Sequence, residues 1–212
     1  MNTLIALVAL LSPQKPAAHL LNYIISSQGM AIGTGTADFE VTKTGAFQEI
    51  HLDISAQGQT AHLDQTYTYD EKGAPTKQTM HATQAGQGVT ETATFSKKGA
   101  HIVGIVDGKK QSRDVALPAG KKLGDPSVFW FSKTKPKKGA KVSVCSFDIQ
   151  IGDFLDETDT YVGDESVTAG GKKVTAHHLT AVRQGHNVEI YVDDKGQMVK
   201  YDDGQTQIER KW

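Results

Sequence analysis

Few residues in this chain have the type and spacing to do chemistry. His177 and His178 are adjacent, and His186 follows one hairpin later; imidazole is a common metal ligand. On a strand, neighbouring side chains point to opposite faces. His177 therefore goes with Thr175 and Leu179, His178 with Ala176 and Thr180, and the two cannot chelate one ion. No carboxylate close in sequence completes a site with His186, so no metal is expected. The acids Asp153, Asp156, Glu157, Asp159, Asp164 and Glu165 offer oxygen ligands. No register of 153–165 matches the helix-flanked calcium loop, which needs Gly at its sixth place and Glu at its twelfth. Cys145 stands alone, which rules out an intramolecular disulfide and a multi-cysteine metal centre. It has no sequence-near His to make it a nucleophile, and on a strand it reads as a small buried hydrophobe.

The other nucleophile and cofactor patterns are also missing. No Ser lies in a Gly-x-Ser-x-Gly elbow. Gly29, Gly33 and Gly35 lead into no helix, so they do not form a phosphate loop. The expectation is a chain with no catalytic residues and no cofactor. Paired acids for sugar hydrolysis stay open, because carboxylates are plentiful and their separation is set in three dimensions. One group stands out for binding: the aromatic run Phe129, Trp130 and Phe131, beside a loop containing Pro118, Pro126 and Pro136 that is placed to act as a lid.

Positioning these residues falls to strands. The 212 residues carry 21 Gly, and Thr is equally frequent, whereas Leu is scarce beyond Leu21. Leu suits helical cores and Thr half-buried strands. Apolar and polar residues alternate along the body: Ile50, Leu52 and Ile54 against His51 and Asp53, and likewise Ala61, Leu63, Tyr67 and Tyr69, then Val188, Ile190 and Val192. Turn signals recur at intervals of roughly ten residues, as in an antiparallel sandwich or barrel. They include 70–73, Asp107-Gly108, Gly170-Gly171, 193–196 and 202–204. About a dozen strands are expected. The segment DEKGAPTK (70–77) returns loosely as DDKGQMVK (193–200). One short helix is expected over 126–132, capped by Asp125 with Pro126 at its first position.

The net charge of −1 and the three arginines, Arg113, Arg183 and Arg210, argue against nucleic acid as a partner. The lysine pairs at 97–98, 109–110, 121–122, 137–138 and 172–173 adjoin turns and strand ends, where lysine discourages edge-to-edge pairing.

Residues 3–11, TLIALVALL, are too short to cross a bilayer, which needs about 20. They match the apolar part of a secretory signal peptide, though no Lys or Arg precedes them. The organisation expected is a signal peptide over 1–18, cleaved between 12 and 18, and a single β domain over 19–212. That places the mature protein in the periplasm or outside the cell, with no transmembrane helix.

A resemblance is carried by Tyr23-x-Ile25 with Gly29-x-x-Ile32-Gly33, Asp70-x-x-Gly73-x-Pro75, the Trp130 region, Gly163-Asp164-Glu165-x-Val167, and Val192-Asp193-x-x-Gly196-x-x-x-Lys200. On these the chain resembles exported bacterial β-rich proteins of unknown function, loosely similar to the LolA/LolB-like periplasmic lipoprotein-carrier fold. The resemblance implies a curved antiparallel half-barrel whose concave face covers a helix or an apolar ligand. The chain departs from the carriers in having little helix and few Leu. The combined expectation is an all-β protein, a curved antiparallel meander, half-barrel or barrel-like, with at most one or two short helices. Its expected role is non-enzymatic, with a lipid or other apolar or amphipathic ligand bound at Phe129, Trp130 and Phe131. An interaction module of the cell envelope and a carboxylate-based hydrolase are the alternatives.

Overall fold

The computed structural model describes residues 20–56, 58–106, 108–124, 130–131, 134–183 and 185–212. The segment read as a signal peptide, and Phe129, lie outside them. The described residues form fourteen strands: β1 (Leu21–Ser27), β2 (Met30–Thr42), β3 (Gly45–Ala56), β4 (Gln59–Asp70), β5 (Pro75–Gln84), β6 (Gln87–Ser96), β7 (Gly99–Val106), β8 (Lys109–Ala116), β9 (Lys141–Asp148), β10 (Asp153–Ala169), β11 (Lys172–Arg183), β12 (His186–Val192), β13 (Met198–Asp202) and β14 (Thr206–Lys211). They make one sheet in the order β8-β7-β6-β5-β4-β3-β2-β1-β14-β13-β12-β11-β10-β9. Every connection joins nearest neighbours except the β8–β9 passage, and the pairing of β1 with β14 joins the two meanders.

The alternation in the sequence fixes which face turns inward. Leu52 pairs with Leu63 and His51 with Asp64, so a shift of one residue would move the whole apolar set to solvent. The sheet curls until the inner faces of its two halves pack together without closing. Met80, Ala93, Ala100 and Ile102 from β5–β7 pack against Cys145, Phe147, Ile149 and Phe154 around β9 and β10. Gln78 Nε2 of β5 donates across the interior to the Phe147 carbonyl of β9 at 3.2 Å. Cys145 is buried and free, and burial pushes its thiol up.

The chain after β8 then covers part of the outer edge of β9. Cys145 N donates to the Lys122 carbonyl at 2.9 Å and Gly124 N to the Cys145 carbonyl at 3.1 Å, around a parallel bridge between Leu123 and Cys145. The edge at β8 carries Lys109, Lys110 and Arg113, charges that blunt pairing with another chain.

The loose repeat has a shared geometry beneath it. Asp70 N donates to the Ala74 carbonyl and Gly73 N to the Asp70 carbonyl, while Asp70 Oδ1 accepts from Lys72 N and Ala74 N. Asp193 makes the same four bonds with Gln197, Gly196, Lys195 and Gln197. Of the helix expected over 126–132, Trp130 and Phe131 are described and are helical, as is Thr134 beyond it; Asp125 and Pro126 lie outside the described residues. There the Phe131 carbonyl accepts from Lys135 N at 3.1 Å and the Trp130 carbonyl from Thr134 Oγ1 at 2.6 Å.

Candidate functional site: an interior cavity with a polar wall

Curling leaves a cavity of about 400 Å³ between the inner faces of the two halves. That volume falls at the small end of the roughly 300–1,000 Å³ typical of ligand pockets. Leu21, Ile50, Leu52 and Leu63 line it from β1, β3 and β4, and Leu155, Ile190, Met198 and Ile208 from the C-terminal strands. The period-two pattern of the sequence already names four of these eight, Ile50, Leu52, Leu63 and Ile190.

Part of the wall is polar. Gln65 and Gln78, both buried, and Tyr67 and Tyr201 line it together with Glu157 and Arg183. Glu157 and Arg183 are register partners on β10 and β11. The guanidinium meets the same carboxylate oxygen twice, Nε at 2.7 Å and Nη2 at 2.6 Å from Oε1. The Glu157 side chain is 5% exposed and that of Arg183 35%. Burial pushes Arg183 down, but the adjacent Glu157 charge outweighs it and holds the guanidinium above its usual range. Gln65 Oε1 accepts from Tyr67 at 3.0 Å. Gln78 uses Nε2 on Phe147, and its buried Oε1 has no hydrogen-bond partner among the described residues.

Trp130 and Phe131 sit beside this cavity. Phe131 is buried, with its ring edge-on to Tyr161 at 5.3 Å and tilted against His177 at 4.4 Å. It packs with Leu179, Ile190 and Val192, and Trp130 and Tyr201 border the same cluster. Ile190, Val192 and Tyr201 belong to the cavity wall as well. The helical segment thus fills the interior next to the cavity and backs its wall.

His177 and His178 diverge as adjacent strand residues must. His177 sits under Phe131 and bonds Asp164 through Nδ1 at 2.5 Å and Asp194 through Nε2 at 2.9 Å. His178 stacks on Tyr191 at 4.6 Å and meets Glu189 through Nε2, with Glu165 3.1 Å from its Nδ1. Both rings find carboxylates through strand register, which sequence proximity does not reveal. Tyr161 donates to Asp164 at 2.5 Å; burial and that carboxylate push its phenol up to about 12.

A second polar group lies on the outer face. His51 Nδ1 meets Asp64 at 2.6 Å, and His62 lies between Asp53 at 2.7 Å and Asp64 at 3.0 Å. The hydrogen bonds to Asp53 and Asp64 push His62 up. Burial pushes Asp64 up, yet bonds from His51 and His62 outweigh it and hold the carboxyl below its usual range. No group of three or more His, Cys, Asp or Glu among the described residues has the arrangement of a metal site.

Fold and cavity together define a curved, incompletely closed antiparallel β-barrel-like protein. A solved structure with that architecture is the β-barrel-like protein of a domain of unknown function, DUF1849, from Brucella abortus. It is 11% identical over 91% of this chain and 94% of that one, with a TM-score of 0.60. A DUF1089 family protein from Pseudomonas aeruginosa is 13% identical over 79% of this chain and 89% of its own, with a TM-score of 0.49. No family model and no curated protein matches the chain. The first likeness supports the barrel-like fold and the general resemblance to β-rich proteins of unknown function.

Sequence reasoning missed Gln65, Gln78 and the Glu157–Arg183 pair as members of the site. The signal was available: Glu157 follows Leu155, and Arg183 follows Leu179 and Ala181, by even steps along inward faces.

Proposed function

We propose that this is an exported, non-enzymatic protein that holds an amphipathic ligand inside its curled sheet, with the apolar part against the Leu and Ile walls. The cavity carries this reading. A barrel that only needed a core would fill that space, since interiors pack to crystal-like density with few voids. This one keeps about 400 Å³ open and places Gln65, Gln78, Glu157 and Arg183 on its wall. A few convergent polar groups in an otherwise apolar pocket are what a ligand site requires. Trp130 and Phe131 enter the reading as the packing behind that wall, and Phe129 as their neighbour in sequence.

Two observations weigh against the hydrolase. Glu157 is engaged by Arg183, and the other acid on the wall, Asp148, uses Oδ1 to accept Gln150 N at 2.8 Å within its own turn. Among the described residues no helix is long and apolar enough to cross a membrane.

The test is organic extraction of the purified protein followed by displacement of a neutral naphthylamine dye. Binding that disappears in Leu155→Trp, which fills the cavity, supports the reading. No co-purified lipid together with no dye binding by the folded wild type overturns it.

A further inference from the structure

The charge on the cavity wall bears on the ligand's head group. Resting on the reading above, we infer that the cavity selects amphiphiles whose head is neutral or cationic and donates hydrogen bonds, and discriminates against carboxylate and phosphate heads. The wall holds one guanidinium against two carboxylates, Arg183 against Glu157 and Asp148. That guanidinium is already committed, with Nε and Nη2 both on Glu157 Oε1. An anionic head therefore meets no cation on the wall that lacks a carboxylate partner, and a net negative charge.

The hydrogen-bonding groups point the same way. Gln78 is 5% exposed, and its Oε1 is a buried acceptor without a donor among the described residues. A buried acceptor left unmatched is costly, so the natural complement is an O–H or N–H. Both guanidinium contacts fall on Oε1 of Glu157, and neither uses its other oxygen. A hydroxyl, amide or ammonium head can donate to these acceptors; an ionised carboxylate can donate to none.

The experiment compares dodecanol, dodecylammonium and dodecanoate, each at a concentration where it is dissolved as monomer, displacing the neutral dye from the wild-type protein at neutral pH. A like charge about 10 Å away at an effective dielectric near 20 changes affinity by roughly tenfold. Dodecanoate is therefore expected to be weaker than dodecanol by about that factor, and Asp148→Asn to narrow the gap. Dodecanoate binding as tightly as, or tighter than, dodecanol overturns the inference and leaves the cavity reading standing. Failure of all three to displace the dye from a protein that binds it overturns the inference as well. A folded protein that binds neither dye nor amphiphile removes the cavity reading and the inference with it.

Discussion

Removing Arg183 while keeping Glu157 tests whether the polar wall is truly interior. In Arg183→Leu the carboxylate, 5% exposed, loses its only guanidinium. Breaking a buried pair by deleting one partner costs about 3–5 kcal/mol, because the remaining charge is left uncompensated. The Arg183 side chain is 35% exposed, so water reaches part of the pair and the expected loss is nearer about 2–3 kcal/mol. For a chain of this size that is a fall in Tm of roughly 5–10 °C. The loss should depend on pH. A carboxylate stripped of its cation is easier to bury protonated, so stability is retained at low pH and lost as pH rises and the group ionises. Chemical denaturation of wild type and variant at pH near 5 and near 7 reads both terms. The double variant Glu157→Leu/Arg183→Leu should recover most of the loss, since a well-packed apolar pair replaces a buried ion pair at little cost. A single-variant loss below about 0.5 kcal/mol, equal at both pH values, would refute the reasoning, because that is the behaviour of an ordinary surface substitution.

Other consequences are equally open to measurement. Phe131→Ala deletes a buried ring packed on Tyr161 and His177; a loss of about 3–5 kcal/mol is expected in denaturant titrations. Gly170→Ala places a Cβ 2.2 Å from the Arg210 carbonyl at a residue with φ of +54°; a loss of at least about 1–3 kcal/mol follows from the backbone strain, and a neutral effect would mean that the β10–β11 hairpin sits differently on β14. His62 should titrate by NMR above its ordinary value, and Asp53→Asn should bring it back down. The sign is that of a raised folded-state pKa, so this histidine's contribution to stability is full below the ordinary histidine range and fades as pH rises through the folded value. The Tyr161 phenol should ionise near pH 12 in a tyrosinate absorbance titration, and in Asp164→Asn at a lower pH.

Much of the architecture was legible because a half-buried sheet writes its faces into alternate residues. Ile50, Leu52 and Leu63 appear in the sequence as one face and in the structure as one wall. The turns at Asp70 and Asp193 were legible for a related reason: one Asp carboxylate satisfying two backbone N–H groups ahead of a Gly is a local arrangement. Local rules end where register begins. The carboxylates around His177 come from β10 and from the turn after β12. Glu157 finds Arg183 across 26 residues, and Gln78 reaches Phe147 across 69. The β10–β11 contacts depend on which strands pair and in what register, and the Gln78–Phe147 contact on how far the sheet curls, neither of which an alternation pattern encodes. Trp130 and Phe131 fall inside the segment expected to be helical, but the seat of Phe131 on Leu179, Ile190 and Val192 was not legible.

The same geometry weighs the binding reading against that of a structural module. A module whose sheet only had to present a surface would gain stability by packing Leu or Phe where Gln65, Gln78, Glu157 and Arg183 now stand, since each buried polar group costs free energy unless it is matched. The chain does this elsewhere: Met80, Ile102, Phe147 and Phe154 close one end of the interior with apolar side chains, and Phe131, Leu179 and Ile190 fill another part. The open part of the interior carries Gln65, Gln78, Glu157 and Arg183 on its wall, while Glu91, Asp159, His178 and Arg210 are buried polar groups outside that wall. Exposed large apolar residues such as Met30 and Val41 at opposite ends of β2, Ile105 on β7 and Val182 on β11 are spread over both halves of the sheet, whereas a docking surface calls for a contiguous patch. Filling one region of a barrel densely while lining the adjacent open region with matched and half-matched polar groups destabilises the empty protein, and a ligand that completes those hydrogen bonds offsets the cost. On that reasoning the protein should be measurably more stable with an amphiphile bound than without one, by an amount that grows with the logarithm of ligand concentration above Kd.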